Sequence, residues 1–246
     1  MKYLTTLFLL LSVVFSLSVC AKVTVIINTK AYEFEQPIRL SNVLSLVENN
    51  GEWYWPTSAV YDLTDSTAER EKEAVLSHLR KLLGAYSDNS DMRTTLESLY
   101  TQISNWTVAT RKVMPVSYNR ARLIFADNPM FKEGRYLIRL SSRPNVVHFS
   151  GVITKPGAYE HKSNTSLFTL HSGVKSKSNA DNSFVYVVAP DGTISKRGIA
   201  YWNIDFTQLM PGSHIVAPLS TGLFDSTLET LNARIAALAV HRILPQ

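Results

Sequence analysis

The sequence predicts an α+β protein with two tandem β-grasp domains, a helical hairpin inserted in the first domain, and an amphipathic helix at the C-terminus. Three observations predict this fold. Each half of the chain runs through a strand, a turn, a strand, a short helix and then further strands. Two long stretches with helical periodicity interrupt the first half only. A third such stretch, free of proline, closes the chain.

The chain begins with a segment that is typical of a secretory signal peptide. Lys2 is the only charged residue before Lys22. The apolar run from Leu4 to Val19 is shorter than the roughly 20 residues of a membrane-spanning helix. Residues 1–21 are therefore predicted to be a signal peptide, and the mature protein is expected in the periplasm.

Two cleavage sites compete at the end of this segment. Ala21 suits an ordinary signal peptidase that cuts before Lys22. The alternative is lipidation of Cys20, which would make the protein an outer-membrane lipoprotein. A bulky Val19 precedes this cysteine where a lipoprotein signal has a small residue, so cleavage between Ala21 and Lys22 is favoured.

The composition narrows the possible functions. Cys20 is the only cysteine, so a chain cut after Ala21 has no disulfide and no cysteine ligand for a metal. The formal net charge of +5 is small and spread along the chain, which does not favour a nucleic-acid partner. No metal-ligand spacing, phosphate-binding loop or nucleophile elbow is present, so no metal, cofactor or catalytic residue is predicted.

Residues 22–145 are predicted to form the first β-grasp domain. Its helical hairpin is placed at about 57–106. The predicted elements are, in order, strands over 22–28 and 32–36, a short helix capped by Ser41, helices over 67–83 and 91–106, and strands over 112–117, 121–126 and 135–140.

Residues 146–219 repeat this order without the hairpin and are predicted to form the second β-grasp domain. A glycine turn precedes the last strand in both halves, at Gly134 and at Gly212. The predicted elements are strands over 146–153 and 158–161, a short helix over 165–172, and strands over 181–189, 193–200 and 214–218.

Residues 220–246 are predicted to contain an amphipathic helix. Its apolar residues recur at spacings of three and four and form one stripe: Phe224, Leu228, Leu231, Ile235 and Leu238. Its polar face includes Asn232, Arg234, His241 and Arg242. The stripe either packs on the protein's own domains or docks on a partner or a membrane surface.

Four residues are candidates for ligand binding. Trp55 and Trp202 offer flat faces that stack on sugar rings, and Asn203 beside Trp202 can bond to hydroxyl groups. The alternative for the tryptophans is a place in the core. Arg111 follows the second predicted hairpin helix, where its guanidinium either holds an acidic or hydroxyl-rich ligand or only balances the helix dipole.

Several motifs resemble a known family. The stretch Phe149 to Tyr159 resembles the opening of the soluble-ligand-binding β-grasp (SLBB) repeat of polysaccharide export proteins. The whole chain from Lys22 is similar to the GfcC family of capsule biosynthesis proteins. The motifs that carry this similarity are Trp55-Pro56, Thr110-Arg111, Pro115-Val116, Ala200-Tyr201-Trp202-Asn203 and Pro211-Gly212-Ser213.

The resemblance implies a periplasmic, non-enzymatic accessory protein for capsule or exopolysaccharide assembly and secretion. It also implies an architecture similar to part of the outer-membrane export channel. The expected partners are the polysaccharide, the outer-membrane export proteins, or both. Membrane contact is expected only through the C-terminal helix or a lipidated Cys20. The alternative function is a glycan-modifying enzyme, which would need two carboxylates in a shared cleft, about 5–9.5 Å apart for glycosidase chemistry.

The cleavage site predicts the intact mass of the mature protein. Cleavage after Ala21 gives an unmodified chain that begins at Lys22, and we expect mass spectrometry to find this species. A chain that begins at Cys20 and carries acyl groups would contradict the prediction.

Overall fold

The computed structural model describes residues 22–48, 51–88, 90–222 and 226–245. The predicted signal peptide, with Cys20 and Ala21, lies outside the described residues, and so does Phe224 of the C-terminal stripe. Within the described residues, the chain folds into two five-stranded sheets with helices packed on them, a mixed α+β structure as the sequence predicts.

The described part of the first half contains seven strands and four helices. The strands are β1 (Val23–Ile27), β2 (Lys30–Phe34), β3 (Ile38–Arg39), β4 (Ala59–Asp62), β5 (Thr110–Lys112), β6 (Met130–Phe131) and β7 (Gly134–Arg139). The helices are α1 (Leu40–Ser45), α2 (Thr67–Leu83), α3 (Asp91–Ser104) and α4 (Tyr118–Leu123). Short 3-10 turns lie at Trp55–Thr57 and Phe125–Asp127.

Among the described residues of the second half are five strands and two helices. The strands are β8 (Val146–Gly151), β9 (Gly157–Glu160), β10 (Phe184–Val188), β11 (Ile194–Gly198) and β12 (His214–Ala217). The helices are α5 (Leu167–Ser172) and α6 (Ser226–Val240).

The two five-stranded sheets have the same topology. The first has the order β2-β1-β7-β4-β5 and the second, read in the matching direction, β9-β8-β12-β10-β11. In each sheet the last strand of the half, β7 or β12, returns parallel to the first strand. Every other pair in the two sheets is antiparallel. A hairpin, a short helix and a returning central parallel strand are the β-grasp plan that the two halves of the sequence predict.

Helices α2 and α3 lie between β4 and β5, where the second sheet has only the tight turn from β10 to β11. Their apolar faces enter a core that also contains Val152 and Val216 from the second domain. The amide of Gln102 on α3 brackets the backbone of Gly151, donating to its carbonyl at 2.9 Å and accepting from its N–H at 3.0 Å. The helical hairpin therefore packs against the second domain although it follows β4 of the first.

Helix α6 completes this core. Leu228, Leu231, Ile235 and Leu238 are all at most 4% exposed and lie in one cluster with side chains of α2, α3 and the second sheet. Of the two alternatives for the stripe, the structure shows packing on the protein's own domains. The expectation that these four residues form a partner-docking face is therefore wrong for the described chain, because the face is buried internally.

Polar contacts fix the position of α6. The buried amide of Asn232 brackets the backbone of Leu219, donating to its carbonyl at 2.8 Å and accepting from its N–H at 2.9 Å. Arg234 donates to the carboxylate of Glu71 on α2 at 2.7 Å. Two residues expected on the solvent side of the helix thus bind backbone and a neighbouring helix.

None of the helices in the described ranges has the length and apolar character needed to cross a bilayer.

The secondary structure departs from several predicted elements. The strand predicted over 112–117 is observed at Thr110–Lys112, and Ser41 lies inside α1 instead of capping it. Residues 121–126 do not form a strand: helix α4 begins after Ser117, whose hydroxyl accepts from the N–H of Arg120, and it is followed by the 3-10 turn. The range 57–106 for the hairpin also contains strand β4. Its residues Ala59, Val60 and Tyr61 are buried on both faces of the sheet, so the alternation that marks a half-buried strand is missing.

Truncation of the α6 stripe tests how much the docked helix stabilises the fold. Leu231 is fully buried, so we expect Leu231→Ala to lower the free energy of unfolding by about 2–5 kcal/mol. Thr227→Ala, an exposed position on the same helix, is the matched control and should change it by less than about 0.5 kcal/mol. Urea denaturation measures both. Equal effects of the two variants would show that the stripe does not stabilise the folded chain.

Candidate functional site

A cavity of about 500 Å³ lies between the two sheets. Strands β4, β5 and β7 form one side, β8 and β12 form the other, and the residues at and after the end of α6 close it. This volume is within the range of roughly 300–1,000 Å³ that is usual for small-ligand sites. The cavity exists because the α6 core holds the two domains side by side.

Four arginines line this cavity: Arg111, Arg139, Arg143 and Arg242. No aspartate or glutamate is present in the lining formed by the described residues. None of the four guanidinium groups forms an ion pair, with N···O of 4.0 Å or less, with a described carboxylate. We call this group the arginine cluster.

Arg111 extends from β5 and is held by the second domain. Its Nη2 donates to the carbonyl of Pro190 at the β10–β11 turn, and its backbone N–H donates to Nδ1 of His241 at 3.0 Å. The Nε of Arg111 is buried and has no hydrogen-bond partner within the described residues. Burial lowers the pKa of the guanidinium, but arginine starts so high that it stays charged at neutral pH.

Arg242 follows α6 and lies over the ring of Trp106, 4.9 Å from the ring centre. Its Nη1 is 3.3 Å from Nε2 of His214. Because a guanidinium only donates, Nε2 must accept, and His214 is then the neutral ring with its proton on Nδ1. The cation–π contact and this hydrogen bond hold the charge against the inner wall of the cavity.

The two histidines of the lining are neutral at physiological pH. Burial and the nearby charge of Arg242 lower the pKa of His148 to about 4. The same two causes, burial first, hold the pKa of His214 well below its usual range. The positive charge of the cavity therefore comes from the arginine cluster.

The structure brings only one of the four predicted ligand-binding residues into the cavity, Arg111. Trp55 is partly buried against the first domain's core and borders a separate hollow beside Met210. Trp202 is 65% exposed on the loop after β11 and is not in the lining. Asn203 accepts from the N–H of Ala200 and donates to the carbonyl of Ser183, so its amide stabilises that loop.

Sequence reasoning missed most of the cavity. Arg139 and Arg143 carried no local motif, and His148 and His214 stood on strands without ligand spacing. Arg242 was noted only as part of the polar face of the terminal helix. The two histidines could have been found from the repeated strand order, which predicts that β8 and β12 pair. His148 and His214 are register partners in this parallel pair.

The described residues of the cavity do not form a known arrangement of catalytic side chains. Ser150 Oγ lies 2.8 Å from Nε2 of His214, but Ser150 is 1% exposed and does not line the cavity. Asp62 and Asp65 instead pair with Lys112, and hydrogen bonds from Thr67 are the main reason that the pKa of Asp65 is about 2. No group of three metal-ligating side chains is found in the described ranges.

Fold and cavity together define a two-domain β-grasp protein with a cationic cleft between its domains. Residues 20–143 match the family model for the N-terminal domain of capsule biosynthesis protein GfcC, and residues 156–244 match the model for its C-terminal domain. The chain belongs to the GfcC capsule biosynthesis family, which confirms the resemblance seen in the sequence. It is similar to the uncharacterized protein YjbG of Escherichia coli (strain K12), with 29% identity over 191 residues, or 77% of each chain.

The lowered pKa of His148 predicts a specific loss of stability in acid. Its ring has a pKa of about 4 when folded and an ordinary value of 6.5 when unfolded, so the unfolded chain binds the extra proton first. The stabilisation is complete above about pH 6.5 and is lost as the pH falls toward 4, by about 3 kcal/mol in total.

Urea denaturation of wild type and His148→Gln between pH 7 and pH 4 measures this effect. We expect the variant to lose less stability in acid than wild type. Thr227→Ala, an exposed position on α6 without a titratable side chain, is the control and should keep the wild-type dependence. An acid dependence in His148→Gln as steep as in wild type would contradict the assignment.

Proposed function

We propose that the protein is a non-enzymatic accessory protein that acts in the periplasm in capsule or exopolysaccharide assembly and secretion. It binds the glycan or the export machinery, and the cavity with the arginine cluster is its binding site. The observation that carries this proposal is a ligand-sized cavity with four cations and no described carboxylate in its lining. Membership of a capsule biosynthesis family supports the same role.

The periplasmic location rests on the N-terminal segment. A charged start, a short apolar run and a small residue at position 21 are typical of export. A mature chain without cysteine needs no disulfide, and its stability comes from the buried cores of the two domains and α6. The sequence suggested membrane contact through the C-terminal helix or through a lipidated Cys20. Because the α6 stripe is buried, only the second of these two contacts remains.

The described lining of the cavity does not provide the carboxylate pair that a glycosidase would need. Glycosidase chemistry needs a carboxylic acid and a carboxylate on opposite sides of the scissile bond. The described lining of the cavity provides arginines, histidines, hydroxyl groups and an amide instead. The second hollow, beside Trp55, has one carboxylate, Asp191. These linings favour binding over hydrolysis.

Export channels and glycan are both compatible partners, and the shape of the site favours the glycan. The cavity is a concave space between two rigid sheets, whereas protein partners generally need a wide surface of at least about 1,000 Å². Export proteins would then contact other parts of the molecule, for example the exposed aromatic side chains of Tyr201, Trp202 and Phe206.

Deletion of the gene tests the proposed role. We expect the deletion strain to lose most of its surface polysaccharide, and a plasmid copy of the wild-type gene to restore it. The purified protein should leave the chain length of the isolated polysaccharide unchanged. Normal surface polysaccharide in the deletion strain would overturn the accessory role, and shortened chains after incubation would support the enzyme instead.

A further inference from the structure

We infer that the cavity recognises an acidic sugar chain, through a carboxylate or phosphate group that the arginine cluster binds. This inference rests on the proposed function and adds the chemical class of the ligand. The charge, the orphaned donor and the neutral part of the lining each point to it independently.

The arginine cluster has no counter-charge in its described lining. Three other partly buried arginines of the described chain lie beside a carboxylate: Arg93, Arg197 and Arg234 each make an ion pair at 2.7–3.2 Å, whereas Arg39 donates to the carbonyl of Asn128. Arg111, Arg139 and Arg242 are also partly buried, and their hydrogen-bond acceptors are neutral carbonyl or ring groups, with no described carboxylate within 4.0 Å. Taking an arginine out of water without a counter-charge costs stability unless another group compensates. An anionic ligand supplies that compensation.

Arg111 leaves one hydrogen-bond donor unused. Its Nη2 binds the carbonyl of Pro190, whereas its Nε is buried and has no partner among the described residues. Such a group normally has a hydrogen bond in a folded protein. A guanidinium whose Nη2 is held by a carbonyl can still donate from its other N–H groups to a carboxylate or phosphate oxygen.

The arginine charges also create a positive field inside the cavity. The charge of Arg242 contributes to the lowered pKa of both His148 and His214. The two rings therefore stay neutral and add no charge of their own. A cleft lined by one sign of charge and walled by protein concentrates its field on a ligand of the opposite sign.

The neutral part of the lining favours a sugar chain over a small inorganic ion. Neutral hydrogen-bonding side chains stand beside the cluster at the mouth of the cavity, those of Thr57, Ser141, Ser142 and Asn145. Hydroxyl and amide groups are suited to the hydroxyls of a sugar. Arg143 is exposed there and lies 5.7 Å from the ring centre of Tyr54, so it reaches the ligand from the solvent side. A volume of about 500 Å³ leaves room for more than a single anion.

Calorimetric titration of the purified protein with a galacturonic acid hexamer and with neutral maltohexaose tests the inference. At pH 7 and low salt, we expect the acidic hexamer to bind at least about tenfold more tightly, and its affinity to fall as salt screens the charges. Equal affinity for the two hexamers, or no binding of the acidic one, would overturn the inference.

Variants of two arginines of the cluster localise the site. Arg139→Gln and Arg143→Gln each remove one charge and should weaken binding of the acidic hexamer about tenfold with little change in Tm. Arg70→Gln, at an exposed arginine on α2, is the matched control and should bind as wild type does. Wild-type affinity in both cavity variants would show that the binding site does not lie in the cavity.

Competition distinguishes the two anions. Displacement of the hexamer by glucuronate assigns a carboxylate, and displacement by inorganic phosphate assigns a phosphate. Displacement by neither contradicts a site that recognises the anionic group. If these tests fail while the deletion strain still loses its surface polysaccharide, the ligand class is wrong and the accessory role stands.

Discussion

The burial of one face of α6 is the interaction on which the rest of the structure depends. Leu228, Leu231, Ile235 and Leu238 fill the space between the helical hairpin and the second sheet. Without that packing, the hairpin, which follows β4 of the first domain, would lose one wall of the core that it enters. Apolar packing has no preferred direction. The paired side-chain hydrogen bonds to the backbones of Leu219 and Gly151 fix the orientation of the packed elements. Two small sheets are thereby held at one relative position.

That fixed position creates the cavity and determines its chemistry. Arg111 comes from the first sheet and Arg242 from the segment after α6, and each is held by groups from another part of the chain. The charges are placed before any ligand arrives, so little freedom remains to be lost on binding. The neutral histidines beneath them show the effect of the same field on the protein's own side chains.

Local patterns in the sequence predict an element well where the periodic stretch is long. Helix α2 begins and ends at the predicted residues, 67 and 83, and the repeated order of strands predicts the two related sheets. Strand β4 was missed because a strand buried on both faces has no alternation. The cavity was missed because its arginines lie on segments far apart in sequence, so only the tertiary packing brings them together.

Native-state hydrogen exchange of the full chain tests the central claim, that docked α6 joins the two domains. If α6 is part of the shared core, its amides exchange as slowly as those of the central strands β8 and β12, because they open only in global unfolding. Rapid exchange throughout α6, with both sheets still protected, would contradict the account. The helix would then be a detachable element and the cavity a transient one.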